Sequence, residues 1–546
     1  MQVYEALADE FAAEGVRTVF NLMGDGNKLW LVAMSNRPGV QLVNVRHEAA
    51  ALSMAEGFAR VSGDVGVCSV TYSTGITQIA TPLAVAAKHG TPLVVFAADI
   101  PADQRGPGSQ IDIDVRSIVR DCGAEVQEIR GVDTLRQDVR TAFHRARTGR
   151  RPVVVLAAPE LQEREVTGRH DVRDEWSPGS ARVAGRPRPD PALLKAAADL
   201  IGRATRPVVL VGRGAVEAGA VPAVRALAER AGALLATTLP AKGCVDDDPY
   251  NLGIAGSYSD SRARSLLARA DCLIAVGASL NPYTRAHGEL FGGVPTVRVD
   301  VRADAAPTGT REVFLHADAA VAADELASLL PAIRSDTWRD AANAEALRQD
   351  GRPAEIASVP APVMRDRTDP RQLVTALDAV LPDDCEVVIG VGNFTTFPVR
   401  FLRNPGRRRF HPLLDFITIG QALPVAIGAA LAAGARPTVA FEGDASFMMH
   451  VQELETAARY AVPMLVFVMN DGALGAEYHK LRGHGLDPAE SIMPSADVCE
   501  VATAFGARAR RLTSLAQVGE IVEWFDADAG PHVVDCPVVR DVVGEL

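Results

Sequence analysis

Nine short apolar runs, rich in β-branched residues, recur along the chain between segments of helical spacing. They are VGVCSVTY (65–72), PLVVFAAD (92–99), PVVVLAA (152–158), PVVLVG (207–212), DCLIAVG (271–277), PTVRVDV (295–301), EVVIGVG (386–392), PTVAFEGD (437–444) and PMLVFVMND (463–471). Runs of this kind, without polar alternation, are strands covered on both faces, and their alternation with helices predicts parallel sheets and an α/β class. Two polar, proline-rich stretches, 176–191 and 350–370, lack periodicity and read as linkers. The expected architecture is therefore three doubly wound domains, 1–170, 190–345 and 370–546. The outer two share an order: strand, small-residue turn, helical segment, X-Pro, strand. In the first the turn is Ser73-Thr74-Gly75 before HGTP, and in the last it is Gly443-Asp444-Ala445 before YAVP. That repetition suggests two similar domains facing a shared ligand.

Composition narrows the function classes. With 546 residues, 48% hydrophobic and only 5% aromatic, the chain is long enough for several cores, about three or four at roughly 150 residues each. A net charge of −12 provides no broad field for polyanions, so nucleic acid and anionic membrane are not expected partners. Seven cysteines without a CxxC pair point to reduced thiols, and Glu5, Asp9 and Glu10 stand where a basic leader would be. A cytoplasmic location is expected. The histidines, His47 and His479 among them, show no HExxH-like metal spacing.

The chemistry concentrates in AFEGDASFMMHVQEL (440–454) and MNDGALG (469–475). Asp444 and Asp471, 27 residues apart, each end an apolar strand with one helix between them. Adjacent parallel strands place their carboxyl ends side by side, where α/β proteins bind ligands. Two carboxylates there, completed by the Ala473 carbonyl, suit Mg²⁺ that also grips a diphosphate. Either aspartate alone reads equally as a turn residue capping the next helix.

Gly443-Asp444-Ala445 through Asn470-Asp471 resembles the thiamine-diphosphate signature, written G-D-G, then a helix and strand, then N-N. The similarity covers the whole chain and is greatest to the acetolactate synthase, pyruvate decarboxylase and benzoylformate decarboxylase group. ALPVAIGAALA (422–432) reads like acetolactate-synthase-type sequence. Ala445 departs from the usual Gly and Asp471 from the usual second Asn, the latter adding a negative charge beside the metal. The resemblance implies metal ligands Asp444, Asp471 and Ala473, and cofactor contacts from Gly443, Ala445, Ser446, Leu474 and Gly475. It adds Gly392, Asn393 and Phe394 in VGNFTTF and a wedge, Ile419, beneath the cofactor. Phe394 stands where synthases often have His.

The family's activating glutamate matches Glu48 in VRHEAAALSMAEGFAR, a carboxyl beside apolar Ala49–Leu52 that would exchange a proton with the pyrimidine N1′. On residue type alone Glu48 is a helix-start carboxylate. Glu56 is expected on a solvated helix face, and Arg407-Arg408-Arg409 in a solvated turn. Asp25, 23 residues before Glu48, and Glu477, six after Asp471, match the acids of simple 2-oxo acid decarboxylases; each also reads as a surface residue. Gln110 instead resembles a synthase glutamine. The resemblance thus implies a thiamine-diphosphate- and Mg²⁺-dependent 2-oxo acid decarboxylase or carboligase, at least dimeric and often tetrameric. Rivals are an FAD-containing acetolactate synthase subunit, a C–C lyase of benzaldehyde-lyase or acyl-CoA-lyase type, and a non-catalytic paralogue. VGRGAVEAG (211–219) and TTLPAKG (237–243) resemble the region where relatives hold FAD or ADP, although a glycine turn after a strand is weak evidence of a nucleotide.

Overall fold

The computed structural model describes the chain except residues 167–184, 303–310, 332–333, 335, 350, 363, 365, 405–406, 495, 526–529 and 545–546. Most of the linker expected at 176–191 lies outside the described residues. The α/β expectation holds: there are three six-stranded sheets, and their strands pair in parallel. By contacts the chain divides into two units.

The first unit comprises Met1–Ala184, Glu386–Gly392 and Leu413–Val538. One sheet in it runs Gln41–Asn44, Thr18–Asn21, Gly66–Ser69, Leu93–Ala98, Pro152–Ala157, Glu125–Glu128. Five strands of the other run Glu386–Ile389, Thr438–Gly443, Met464–Asn470, Pro531–Pro537, Arg508–Arg511, and repeat the first sheet's order from its second position onward. The shared crossing is also repeated. Ser73–Gln78 and Ala80–His89 join one pair of neighbouring strands, and Asp444–Met448 and Glu453–Arg459 join the other. All nine apolar runs form strands. The strands that the apolar pattern misses include Gln41–Asn44, Glu125–Glu128 and Arg508–Arg511, short polar pieces at sheet edges, where one side of the ladder is not covered by another strand.

The core of this unit centres on two helices, Glu48–Ser62 and Ala422–Ala433. The second is buried along its first nine residues, as its all-apolar sequence requires. The helices meet backbone to backbone. A Cβ on Gly57 would lie 2.0 Å from the Val425 carbonyl oxygen, and one on Gly428 1.8 Å from that of Met54. Beside this contact Glu56 is fully buried and binds Arg60 at 2.6 Å, with Asp415 3.6 Å from the same guanidinium. Glu56 is therefore a core ion pair and not the solvated residue expected: it lies on the helix face turned to Thr91, and burial raises its pKa against the pull of Arg60.

The second unit comprises Gly185–Cys385, Asn393–Pro412 and Val539–Leu546. Its sheet runs Glu312–His316, Thr296–Asp300, Cys272–Val276, Pro207–Val211, Leu234–Thr237, Asn251–Ile254, a doubly wound order whose switch lies between Cys272–Val276 and Pro207–Val211. The turn glycines there are pressed together: Cβ atoms would fall 2.1 Å from Gly277 O at Gly212 and 2.3 Å from Ala215 N at Gly277. Gly212 and Gly214 of VGRGAVEAG thus have a packing role against Gly277 independent of any nucleotide. Two expectations fail in this unit. Arg352–Ser358 is helical inside the stretch read as a linker, and Arg408 is buried, not in a solvated turn. Its guanidinium binds Asp378 at 2.6 Å and the carbonyls of Arg403 and Leu381, while Arg352 and Arg403 share the same aspartate. A carboxylate holding several guanidinium groups lets an arginine from a polar triplet enter the interior.

The helix contact yields a sign that separates packing from propensity. Alanine at a helical glycine normally stabilises by about 1 kcal/mol. At Gly428 the added methyl has only a backbone carbonyl to displace, and overpacking costs about 1–3 kcal/mol or more. Gly428→Ala is expected to lower the apparent Tm, measured by scanning calorimetry; a raised Tm would contradict the packing.

Candidate active site

The carboxyl edge of the Thr438–Gly443 and Met464–Asn470 pair carries the two aspartates. Gly443 stands opposite Met469 in the register, so Asp444 and Asp471 leave neighbouring strands at nearly the same level. Both are buried, at 1% and 9% exposure. Asp444 opens the helix Asp444–Met448 with Gly443 as its cap. Asp471 accepts a hydrogen bond from Ala473 N at 3.0 Å. Gly472 makes this turn at φ +69°, a conformation that favours glycine. The loop is then strapped by Leu474 N to Ser491 O at 2.8 Å and Met493 N to Gly472 O at 3.0 Å. Among the described residues no group of three or more His, Cys, Asp or Glu gathers. The strand edge therefore carries two buried carboxylates, followed by the Gly472–Leu474 loop.

Behind this edge sits a carboxyl group that sequence reasoning passed over. Glu442 lies inside the strand, fully buried, and desolvation pushes its pKa up to about 7. It accepts from Leu423 N at 2.9 Å and from the Ser446 hydroxyl. Ser446 Oγ in turn accepts from Gly420 N at 2.8 Å. The turn that opens Asp444–Met448 and the turn carrying half-buried Ile419 are thereby tied together. The readable signal was a glutamate within the otherwise apolar run TVAFEG.

Glu48 begins the helix Glu48–Ser62, whose N-cap is His47: its Nδ1 accepts from Ala49 N at 3.1 Å. Ala49–Leu52 are buried as expected, and Glu48 itself is half-buried. The nearby Cys68 thiol is held well above its ordinary pKa, by burial first and by the Glu48 carboxylate second.

The other acids are less enclosed. Asp25 is exposed, paired with Lys28, and accepts from Tyr72 OH at 2.9 Å. The bond from Lys28 first and that from Tyr72 second hold its carboxyl below the usual range, while burial first and the bond to Asp25 second lift the Tyr72 phenol to about 12. Tyr72, the residue before the helix Ser73–Gln78, was not anticipated. Glu477 lies on the exposed face of Gly475–Gly483, 3.5 Å from Lys480. Gln110 is exposed on the loop before Val115–Asp121. Hydrogen bonding joins none of these three to another. Gly392 follows the strand Glu386–Ile389 in the first unit and is half-buried.

Asn393 and Phe394 belong to the second unit, and both are buried. The Asn393 amide is engaged by the chain's end, donating to Val542 O at 3.1 Å and accepting from Gly544 N at 2.6 Å. Among the described residues no helix is long and apolar enough to cross a membrane.

Family comparison agrees with this architecture. Residues 1–118 match the N-terminal TPP-binding domain of thiamine pyrophosphate enzymes, 194–326 the central domain and 390–536 the C-terminal TPP-binding domain. The chain is 31% identical to "Acetolactate synthase large subunit" of Parasynechococcus marenigrum, over 85% of this chain and 75% of that one. It is 30% identical to "Probable 2-ketoarginine decarboxylase AruI" of Pseudomonas aeruginosa, over 93% and 89%. It is 26% identical to "Acetolactate synthase" of Bacillus subtilis, over 98% and 92%. With three domain matches in family order and the paired aspartates at the expected sheet edge, the chain belongs to the thiamine pyrophosphate (thiamine diphosphate) enzyme family and is acetolactate-synthase-like.

Proposed function

We propose that this enzyme uses Mg²⁺ and thiamine diphosphate to decarboxylate a small 2-oxo acid, and either protonates the remaining fragment to an aldehyde or joins it to a second carbonyl compound. The observation that carries the proposal is the buried pair Asp444 and Asp471 at the ends of adjacent parallel strands. Their chemistry fits the implied group: two hard anionic donors, the Ala473 carbonyl, and a helix opening at Gly443–Ser446 whose N–H groups suit phosphate oxygens. When bound, the cofactor supplies the electron sink that lets the bond to the carboxylate carbon break.

The chain's residues do the rest. Asp444, Asp471 and Ala473 hold the metal. Gly392, Ala445, Leu474 and Gly475 present backbone to the cofactor, and Ile419 wedges beneath it. Glu48 holds and returns a proton at the pyrimidine N1′, beside its buried apolar neighbours Ala49–Leu52. Asp25 or Glu477 delivers a proton to the carbon that lost CO₂, with Gln110 nearby in the substrate region. The working form is a homodimer or homotetramer in the cytoplasm. The relatives' names span both fates of the fragment, a synthase that ligates and a decarboxylase that releases.

Replacing Asp444 by Ala is expected to abolish Mg²⁺-dependent cofactor binding measured by titration calorimetry, and with it the thermal stabilisation that cofactor confers by binding the native state. Unchanged affinity would contradict the metal assignment. Glu48→Gln keeps shape but cannot exchange the proton, so H/D exchange at the cofactor's thiazolium C2 should slow about 10²-fold or more. An undiminished rate would remove Glu48 from the mechanism. Asp25→Asn or Glu477→Gln should slow aldehyde release more than CO₂ loss and, with an aldehyde acceptor present, raise the share of hydroxyketone seen by NMR. Wild-type rates and ratios in both would return the two acids to the surface and favour the synthase reading.

A further inference from the structure

Glu453 is fully buried at the opening of the helix Glu453–Arg459, nine residues after Asp444. Its carboxylate accepts the backbone N–H of Arg46, at 3.1 Å to one oxygen and 3.3 Å to the other. The N–H of His47 is also directed at it, and Thr456 Oγ1 donates to it at 2.8 Å. Arg46 and His47 are the two residues immediately before Glu48. The rest of the helix seats the same segment: Glu455 receives Arg46 Nε at 2.7 Å, and the Tyr460 hydroxyl donates to Leu42 O at 3.0 Å while accepting from Asn44 N at 2.8 Å. Those two backbone groups belong to Gln41–Asn44, the edge strand that leads into the Glu48 turn.

A carboxylate that gathers successive backbone N–H groups fixes a turn more tightly than neutral acceptors do, and fixing a turn fixes the side chain that follows it. Burial opposes the charge, raising the Glu453 carboxyl to about 7. Those hydrogen bonds keep the lost solvation partly compensated. Helix formation alone does not require this arrangement. The helix Glu48–Ser62 already has a cap in His47, so the bonds from Arg46 and His47 to Glu453 serve the approach to it.

We infer that Glu453 is a positioning residue for Glu48, its carboxylate clamping the Arg46–His47 backbone so that Glu48 enters its helix in the orientation proton exchange requires. The inference rests on the proposed role of Glu48 and adds a residue that does not touch the cofactor. The test uses two variants, Glu453→Gln, which keeps one oxygen acceptor, and Glu453→Ala, which keeps none. In the cofactor-free protein, hydrogen–deuterium exchange of peptides covering residues 44–50 should rise about tenfold in the alanine variant and less in the glutamine variant. In the loaded protein, C2 exchange should slow in the same order, with thiamine diphosphate affinity unchanged and kcat falling while KM stays put. Should the alanine variant fail to fold, the glutamine variant carries both readouts. Unchanged amide exchange at 44–50, or raised amide exchange with wild-type C2 exchange, would overturn the inference. A Glu48→Gln control with undiminished C2 exchange would instead sink the parent reading, leaving the amide measurement to report the clamp alone.

Discussion

The glycine-lined crossing of Glu48–Ser62 on Ala422–Ala433 is the contact on which the first unit depends. One helix begins at the candidate proton-exchanging glutamate. The other begins two residues after Gly420, which follows the candidate wedge Ile419. Because each backbone meets the other's carbonyl where a side chain would otherwise stand, the two helices have a single depth of approach. Their N-terminal turns inherit that fixed separation. Ser53 Oγ to Gln421 Oε1 at 2.6 Å, buried beside the crossing, fixes it further with a polar pair that cannot slide without being broken.

Parallel pairing then does for Asp444 and Asp471 what the crossing does for the helices. Both acids are buried, at 1% and 9% exposure, and their place at the end of adjacent strands is where α/β sheets recruit ligands. The buried Glu442 behind them spends its oxygens on Leu423 N and the Ser446 hydroxyl, joining the start of the helix Ala422–Ala433 to the turn that opens Asp444–Met448. A shift at one of these turns would be felt at the other.

Much of this was legible in the sequence, because short continuous runs rich in β-branched residues, alternating with helical segments, fit strands covered on both faces. The aspartate pair was legible because each ends such a run. Short edge strands such as Arg508–Arg511 were not, since their polar composition follows from having one open side and matches that of a loop. Glu56 and Arg408 were misplaced for a shared reason. A charge inside a core is decided by partners distant in sequence or on another helical turn, Thr91 and Asp415 for one and Asp378 for the other, and local pattern does not register them. Glu453 was unread for the same cause: the residues it holds lie some four hundred positions earlier.

The central claim is that the paired strand-end aspartates and Glu48 serve one reaction, loss of CO₂ from a 2-oxo acid. It is tested most directly by ¹³C NMR of the purified protein with a panel of 1-¹³C-labelled 2-oxo acids. Labelled bicarbonate should appear with at least one of them, and only when both thiamine diphosphate and Mg²⁺ are present. Cofactor bound at full occupancy with no labelled bicarbonate from any acid, or release that proceeds equally without the cofactor, would contradict the account.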